Sequence, residues 1–439
     1  MYLRRFVVEN LRSIANAVMD FERGQEHGWH VILGSNGSGK SSLIRSFSLL
    51  MMGEKEAYAS RQDFSRWIRQ GANQAQISGT FSMDPEYDVL SGGGQPPSRP
   101  ITASVTLAMA AQSYARQAEA NFNGERTQRT IWGEGQGWFS ASFGPFRRFT
   151  GGDRIYDRLF VSNKRLAPHL TALGEDVALT EAMGWLTSLY VRSLHDQKTS
   201  ATSAAGEILS LVVNFLNESA FLPHGARVSE IENEAVYVLD GNGVRVPVDQ
   251  LSDGYRSALS LVIELIRQMF ELYGADSMER SMSEVPGTVQ APGVVAIDEV
   301  DAHLHPTWQR DIGLWLTRCF PRIQFIVTTH SPIVCRAVAK PDGQLRGGVW
   351  KLSTPGLNDG FRQVVGDELN QLVFGDVVDA YSTELFGQGV IRSDAGDRKL
   401  ERLAELNVKA LNSQLSEAEL AERRSLRRIF PANAGDIRE

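Results

Sequence analysis

Residues 28–52 read GWHVILGSNGSGKSSLIRSFSLLMM, and the core of the fold can be inferred from this segment. A short apolar run is followed by a glycine-rich turn, and the turn leads into residues with the apolar spacing of a helix. A turn of the pattern Gly-x-x-x-x-Gly-Lys-Ser between a strand and a helix binds phosphate groups. The sequence therefore predicts an α/β domain with a phosphate loop at residues 34–41.

Each residue type in this loop has a physical role. Glycines let the backbone curl so that amide N–H groups face the β- and γ-phosphates, and the helix dipole adds to the attraction. Lys40 supplies a positive charge, and the hydroxyl of Ser41 suits Mg²⁺, an ion that prefers oxygen ligands. A glycine-rich turn with a chance lysine is the alternative, and the position between strand and helix disfavours it. The predicted ATP contacts are Gly34, Ser35, Asn36, Gly37, Ser38, Gly39, Lys40, Ser41 and Ser42.

A second segment, VVAIDEVDAHLHP at residues 294–306, supplies acidic groups. Its apolar run predicts a parallel strand buried on both faces, and the carboxylates that follow should emerge where ligands bind in open α/β sheets. We expect Asp298 to hold Mg²⁺ through water and Glu299 to polarise the water that attacks the γ-phosphate. An acidic pair after an apolar run is common, so this assignment depends on the phosphate loop upstream.

His330 follows the next predicted strand, at 323–327, and should reach the same edge of the sheet. An imidazole there can contact the γ-phosphate and report its presence, although a single histidine is more often structural. Asp298, Asp301, His303 and His305 also allow a metal site, since His-x-His is a chelating spacing. We favour the alternative that His303 and Leu304 shape the loop, with Pro306 starting the next helix.

A third segment, LSDGYRS at residues 251–257, begins a long helix. The Ser252 hydroxyl, the Gly254 amide and the helix N-terminus predict a second anion site. We infer that this site cannot reach phosphates held by the phosphate loop of the same chain. It should therefore act on the ATP of another copy, so that two ATP molecules are sandwiched between two heads.

Together these motifs resemble those of the ABC ATPases, and within them the SMC and RecF-like group. LSDG is similar to the signature sequence of that class, and DEVDAHLHP resembles the version in soluble SMC-like and OLD-like ATPases. The resemblance implies that Arg12, in the ENLRSI stretch, belongs to the nucleotide site, and that Asp301 lies in the loop that communicates between heads. No glutamine can be assigned to the family's Q-loop, for which SFGPFRRF at residues 142–149 is the expected place.

We predict an α/β fold, an ABC-type ATPase head with a parallel-sheet core. Alternating segments between about residues 75 and 165, including RTIWG and GWFSASFG, predict an antiparallel β subdomain. Ser416 and Glu419 have the spacing of a capping box within a helical tail. The predicted divisions are an N-terminal ATPase lobe at 1–165, a helical insertion at 166–230, a C-terminal ATPase lobe at 231–352 and a helical tail at 353–439.

Composition narrows the range of partners. The net charge of −7 gives no global attraction to nucleic acid, so binding would need a local basic patch. Apolar runs are too short to span a bilayer, and the N-terminus does not read as a signal peptide, so we expect a cytoplasmic protein without a membrane partner. The two cysteines predict neither a disulfide framework nor a zinc site. The densest basic stretch comprises Arg147, Arg148, Arg154, Arg158, Lys164 and Arg165.

Among compact SMC-like ATPases, the middle segment FGPFRRF and the C-terminal helical tail resemble those of Septu-type antiphage systems, including those attached to retrons. That resemblance implies a sensor or gate for a separate nuclease. It agrees with the lack of a nuclease motif, because Asp376, Asp379 and Glu384 fall in a predicted helical region. A RecF-like role in repair or recombination is the main alternative. A transporter subunit is disfavoured by the long separation of the phosphate loop from LSDGY, where transporters usually read LSGGQ.

Overall fold

The computed structural model of the protein contains fourteen strands and twelve α-helices among the residues that it describes. These residues are 1–94, 97, 99–109, 118–133, 136–145, 164–174, 180–198, 203–232, 235–352, 356, 360–382, 394–411 and 415–430. The strands are β1 (Tyr2–Leu11), β2 (Ile14–Asp20), β3 (Gly28–Leu33), β4 (Gln74–Ser82), β5 (Ile101–Met109), β6 (Ala118–Asn123), β7 (Ser140–Phe143), β8 (Arg227–Ile231), β9 (Val236–Leu239), β10 (Arg245–Pro247), β11 (Gly293–Ile297), β12 (Ile323–Thr329), β13 (Gly347–Lys351) and β14 (Arg362–Val364). The helices are α1 (Lys40–Met52), α2 (Glu54–Ala59), α3 (Leu170–Leu173), α4 (Thr180–Lys198), α5 (Ala204–Glu218), α6 (Asp253–Tyr273), α7 (Ala275–Ser283), α8 (Pro306–Cys319), α9 (Gly366–Phe374), α10 (Val377–Ser382), α11 (Asp394–Leu411) and α12 (Glu417–Ile429).

A six-stranded sheet in the order β14-β13-β3-β12-β11-β7 forms the core that carries the predicted motifs. Its strands from β13 to β7 are parallel, and β14 is an antiparallel edge. Every residue of β3, β11 and β12 is buried, which explains why their sequences are nearly continuous apolar runs. The predicted α/β class is confirmed, and the ends of these strands share one edge.

A five-stranded antiparallel sheet in the order β2-β1-β4-β5-β6 lies on the N-terminal side of the sequence. Buried and exposed residues alternate along β4 and β5, because one face packs on the core and the other meets solvent. The predicted antiparallel subdomain is therefore present, but its strand content differs from the prediction. Residues 140–143 of GWFSASFG form β7 in the parallel sheet, and the RTIWG segment contributes a 3₁₀ turn at Thr127–Arg129 instead of a strand.

One buried side chain joins the two sheets. Gln324 of β12 is fully buried, accepts a hydrogen bond from the Leu3 backbone N–H at 2.8 Å and donates one to the Leu3 carbonyl at 3.0 Å. Leu3 lies where the pairing of β1 with β4 is irregular, so its backbone groups need another partner. The amide of Gln324 supplies both the acceptor for the Leu3 N–H and the donor for the Leu3 carbonyl.

The helical insertion consists of α4 and α5, which pack against each other. Ser203 caps α5 by accepting a hydrogen bond from the Gly206 N–H at 3.0 Å. The predicted hairpin follows as β9 and β10, and with β8 it forms a separate three-stranded sheet. α6 comes next and packs against α4 and α7, with almost every residue after Arg256 buried.

The predicted helical tail does not begin at residue 353. Strand β14 comes first and pairs with β13. The chain divides into two compact units after Phe374, and in the second unit α11 and α12 share a small core of Leu403, Leu406 and Leu426. The predicted capping box is present at the start of α12.

Cys319 and Cys335 are both buried. Within the described ranges, no helix is long and apolar enough to cross a membrane.

Candidate active site

The phosphate loop occupies the turn between β3 and the first residue of α1, as predicted. Gly39 has a φ of 110°, in the left-handed region, and precedes the helix. A Cβ atom at this position would lie 2.6 Å from the Ser13 hydroxyl and 2.9 Å from the Ile14 side chain. The chain can therefore enter α1 only with glycine here, and the first amides of the helix stay open towards a ligand.

Lys40 stands where the predicted catalytic groups meet. Its ammonium donates to the carbonyls of Gly34 at 2.7 Å and Ser35 at 3.1 Å, and lies 3.5 Å from His330 Nδ1. Burial lowers its pKa, while the charges of Glu299, Asp298 and Asp301 act in the opposite direction. A cation in this position, held by carbonyl groups that a phosphate can replace, suits the binding of an anion.

The acidic pair is fixed by the neighbouring strand β12. Asp298 is buried and accepts a hydrogen bond from the Thr328 hydroxyl at 2.5 Å. The Glu299 N–H donates to that same hydroxyl at 2.8 Å, and the Val300 N–H donates to the Thr328 carbonyl at 3.0 Å. Glu299 itself is half-buried and has a left-handed φ of 46°. Sequence reasoning missed Thr328, although a hydroxyl inside an apolar strand that ends in the predicted His330 was a usable signal.

His330 also reaches this edge of the sheet. Burial, followed by the charge of Lys40, lowers its pKa, while the charges of Glu299, Asp301 and Asp298 act in the opposite direction. The next residue, Ser331, donates from its hydroxyl to the Gln309 side chain at 2.9 Å, and that amide donates to the Leu304 carbonyl at 3.0 Å. The strand end that carries His330 is thereby tied to the loop after the acidic pair.

Two buried oxygens at the site have no hydrogen-bond partner among the described residues. They are Ser38 Oγ in the phosphate loop and Asp301 Oδ1 in the loop after the acidic pair. Buried polar atoms are normally paired, and a polar ligand is one way to satisfy such atoms. The Ser38 hydroxyl can donate to a phosphate oxygen, whereas Asp301 Oδ1 only accepts and needs a hydrogen-bond donor. The orphaned hydroxyl in the phosphate loop therefore fits a bound phosphate group.

The site offers few oxygen ligands. They fit Mg²⁺, which keeps water ligands, better than they fit a metal ion whose ligands all come from the protein. Within the described ranges, no group of three His, Cys, Asp or Glu residues could hold a metal ion, so the alternative metal site around His303 and His305 is not formed. Ser41 and Asp298 offer one hydroxyl and one carboxylate. Mg²⁺ usually takes one or two protein oxygens and completes its shell with water and phosphate oxygens.

The LSDG segment lies at the start of α6. Ser252 is exposed, and its hydroxyl makes no capping hydrogen bond to the helix. A Cβ atom on Gly254 would lie 2.8 Å from the His303 carbonyl, so glycine allows the helix to approach the loop after the acidic pair. The Tyr255 ring contacts that of Trp308 with 4.6 Å between centroids. Among the described hydrogen bonds, none joins Ser252 or Gly254 to the phosphate loop.

Arg12 lies in the β1–β2 turn, beside the phosphate loop. The adjoining Ser13 hydroxyl donates to the Ser38 carbonyl at 3.3 Å, and the Arg12 guanidinium lies 5.1 Å from the centre of the Trp67 ring. Burial, followed by the charge of Arg45, lowers the pKa of Arg12. An anion bound nearby would relieve this repulsion, which agrees with a role for Arg12 in the nucleotide site.

The predicted basic stretch and Q-loop segment are only partly described. Arg165 is buried and donates to the carbonyls of Gly133 at 3.0 Å and Trp138 at 2.8 Å, so it serves the fold rather than an external phosphate backbone. β7 ends at Phe143 beside Ile297, at the edge expected for the Q-loop. Residues 146–163, which include Arg147, Arg148, Arg154 and Arg158, lie outside the described ranges.

Behind the phosphate loop, a buried polar network joins α1 to β7. Ser48 Oγ lies 2.6 Å from Ser142 Oγ, which in turn lies 2.6 Å from His169 Nδ1. The other ring nitrogen of His169 lies 3.2 Å from Ser140 Oγ. Burial lowers the pKa of His169 to about 3, so its ring is neutral and serves as the centre of the network.

Two family models match the chain. A model described as "AAA domain" matches residues 5–171, and a model described as "AAA domain, putative AbiEii toxin, Type IV TA system" matches residues 165–336. Between them, the two matches include the phosphate loop, LSDG, the acidic pair and His330.

Two curated proteins are similar over parts of their length. The chain is 38% identical over 119 residues to the Retron Ec83 probable ATPase of Escherichia coli, which is 27% of this chain and 20% of that protein. It is 23% identical over 350 residues to Septu protein PtuA of Bacillus mycoides (strain KBAB4), 78% of this chain and 40% of that protein. The chain therefore spans less than half the length of either relative.

Solved structures show a more distant likeness. An SMC head bound to the C-winged helix domain of ScpA matches with 15% identity and a TM-score of 0.47, over 84% of this chain and 99% of that one. The recombination mediator protein RecF matches with 12% identity and a TM-score of 0.42, over 83% and 98% of the two chains. Both are too distant to bear on function.

The buried His169 predicts a pH-dependent stability. Its pKa is about 3 in the folded protein against an ordinary value of 6.5, so the unfolded chain binds more protons between these values. The free energy of unfolding should then fall by about 1.4 kcal/mol per pH unit as the pH drops through this window. His169→Gln should reduce the stability difference between about pH 7 and about pH 5 by roughly 2 kcal/mol, because an amide does not titrate.

Urea unfolding at the two pH values measures this difference. His195→Gln, at an exposed histidine, is the matched control and should behave as the unchanged protein does. An undiminished pH dependence in His169→Gln would contradict the neutral, buried state of this ring.

Proposed function

We propose that the chain is an AAA-domain ATPase, and that two copies bind ATP and Mg²⁺ head to tail and hydrolyse ATP at two shared sites. One observation carries the proposal. Lys40, the acidic pair and His330 meet at one edge of the parallel sheet, whereas Ser252 presents an uncapped helix start that makes no hydrogen bond to that site. A site that lacks its second anion-binding element can be completed by another copy.

Each residue has a defined task in this proposal. The loop amides and Lys40 bind the β- and γ-phosphates, and Ser41 and Asp298 provide oxygens for Mg²⁺, which neutralises phosphate charge when bound. Glu299 accepts a proton from the attacking water, and the His330 imidazole hydrogen-bonds the γ-phosphate. These are functions of position and charge, which dominate phosphoryl transfer.

The start of α6 is suited to the partner's nucleotide. Its first N–H groups have no partner within the helix, and the exposed Ser252 hydroxyl is not used as a cap. The contacts of Gly254 and Tyr255 with the 303–308 segment hold this helix end in a fixed place on its own head. A γ-phosphate on the other head would meet a preformed anion site.

Complementation tests the shared site. Lys40→Ala should abolish nucleotide binding, and Ser252→Arg should leave binding intact but stop hydrolysis. Mixed in equal amounts, the two proteins form hybrid dimers in which one site has an intact loop and an intact Ser252. If chains pair at random, half the dimers carry one good site of two, so activity should recover to about a quarter of the wild-type rate. Activity that never exceeds the sum of the separate variants would contradict sharing.

Glu299→Gln should trap the closed dimer. The amide keeps the shape of the side chain but cannot accept the proton, so hydrolysis should fall by about 10²–10⁴-fold while ATP binding persists. Light scattering should show an increase in mass with ATP but not with ADP, since the second anion site binds the γ-phosphate. Glu22→Gln, at an exposed glutamate, is the control. Hydrolysis at the wild-type rate by Glu299→Gln would remove this residue from the role of base.

We further propose that the ATPase senses or gates for a separate nuclease in antiphage defence. Support comes from the relatives, which are named a Septu protein and a retron ATPase and which are longer than this chain. It also comes from the chemistry of the chain, because the described residues contain no acidic or histidine cluster of the kind that a metal-dependent nuclease needs.

The purified chain should therefore not cut DNA or RNA, and cleavage should require a second polypeptide. Incubation of the protein with single- and double-stranded nucleic acid, Mg²⁺ and ATP measures this directly. Glu299→Gln protein serves as the matched sample without ATP turnover. Cleavage by both proteins that disappears on substitution of Asp376 or Asp379 would show that the chain carries its own nuclease.

A further inference from the structure

Thr328 contacts both acidic residues of the proposed ATPase site without belonging to the nucleotide-binding segments. Its side chain is fully buried in β12, which is parallel to β11, the strand that Asp298 follows directly. A hydroxyl has one donor and two acceptor positions. Here the donor is used on the Asp298 carboxylate at 2.5 Å, and one acceptor position receives the Glu299 N–H at 2.8 Å.

The hydrogen bond from the Glu299 N–H to Thr328 stabilises an unfavourable backbone conformation. Glu299 has a φ of 46°, a conformation that is unfavourable for a residue with a side chain and persists only where its surroundings hold it. The N–H groups of Glu299 and Val300 both donate to Thr328, one to its hydroxyl and one to its carbonyl. Thr328 therefore fixes the turn that directs the proposed base out of the sheet.

We propose that Thr328 is a positioning residue for ATP hydrolysis, acting through Asp298 and the backbone of Glu299. The proposal rests on the function assigned to those two residues. One hydroxyl holds the carboxylate assigned to Mg²⁺ and the turn that presents the base, so it sets their relative position. Removing it should disturb the acidic pair and leave the phosphate loop unchanged.

The adjacent Thr329 provides a matched control. It is equally buried and lies in the same strand, but its hydroxyl bonds with the backbone of Ser331 and makes no described hydrogen bond to the acidic pair. Thr329→Val thus removes a buried hydroxyl of the same kind at the same depth. A general loss of strand stability would affect both variants, whereas loss of positioning would affect only Thr328→Val.

The test compares Thr328→Val, Thr328→Ser, Thr329→Val and Glu299→Gln in the full chain. For Thr328→Val we expect kcat to fall about 10–100-fold, the usual effect of removing a group that orients a metal-binding carboxylate, and the Mg²⁺ concentration for half-maximal rate to rise about tenfold. Binding of a fluorescent ATP analogue without Mg²⁺ should change by less than about threefold, because Lys40 and the loop are intact. Thr328→Ser should restore most of the rate.

Hydrogen exchange gives a readout that does not depend on turnover. The Glu299 amide should exchange faster in Thr328→Val than in the unchanged protein or Thr329→Val, because it loses its acceptor. If Thr328→Val does not fold, Thr328→Cys replaces it, since a thiol is a weak donor and acceptor.

The outcomes separate this inference from the proposed function. If Glu299→Gln is inactive while Thr328→Val has wild-type kcat, Mg²⁺ dependence and exchange, the positioning role is overturned and the ATPase site stands. An equal rise of the Mg²⁺ requirement and of Glu299 amide exchange in Thr328→Val and Thr329→Val would also overturn it. If Glu299→Gln retains full activity, the assigned base is wrong and the positioning role falls with it.

Discussion

Lys40, Asp298 and His330 are far apart in the sequence and meet because β3, β12 and β11 are adjacent and parallel. Parallel strands send their carboxyl ends to one edge, so the phosphate loop, the acidic pair and the histidine emerge together. The buried polar residues of β12 fix its register, because a shift would separate Gln324 from Leu3 and Thr328 from Asp298 and leave these groups unpaired. Every electrostatic contact at the site depends on this arrangement.

The sequence was most informative where function restricts it. The phosphate loop, the acidic pair, His330 and the start of α6 were predicted in their correct elements, since each combines a turn or cap residue with a clear apolar period. β7 was assigned to the wrong sheet. Its four residues, SASF, are too short and too polar to indicate a buried parallel strand, and their partner β11 lies about 150 residues further along the chain. Such non-local pairing has no local signal.

The polar residues that hold the site together were missed for a related reason. Thr328, His169 and Gln324 each look unremarkable in sequence, because a buried threonine, histidine or glutamine is recognisable only once its partners are known. Their hydrogen bonds reach residues that are distant along the chain, such as Asp298 for Thr328 and Leu3 for Gln324. Sequence motifs identify the residues that carry out the chemistry. The buried polar residues that orient them are recognisable only from tertiary contacts.

The same contacts suggest how nucleotide binding can affect the rest of the head. α1 begins at the phosphate loop, and further along it Ser48 enters the network around His169 while Arg45 donates to the Ala172 carbonyl at 3.1 Å. Residues 166–174 thus pack against the phosphate-loop helix and against β7. Because a closely packed interior transmits small displacements, a shift of α1 on phosphate binding must be absorbed by this network or passed to that segment. The neutral, fully bonded His169 leaves the network little freedom to absorb it, so a displacement of α1 would be felt directly by residues 166–174.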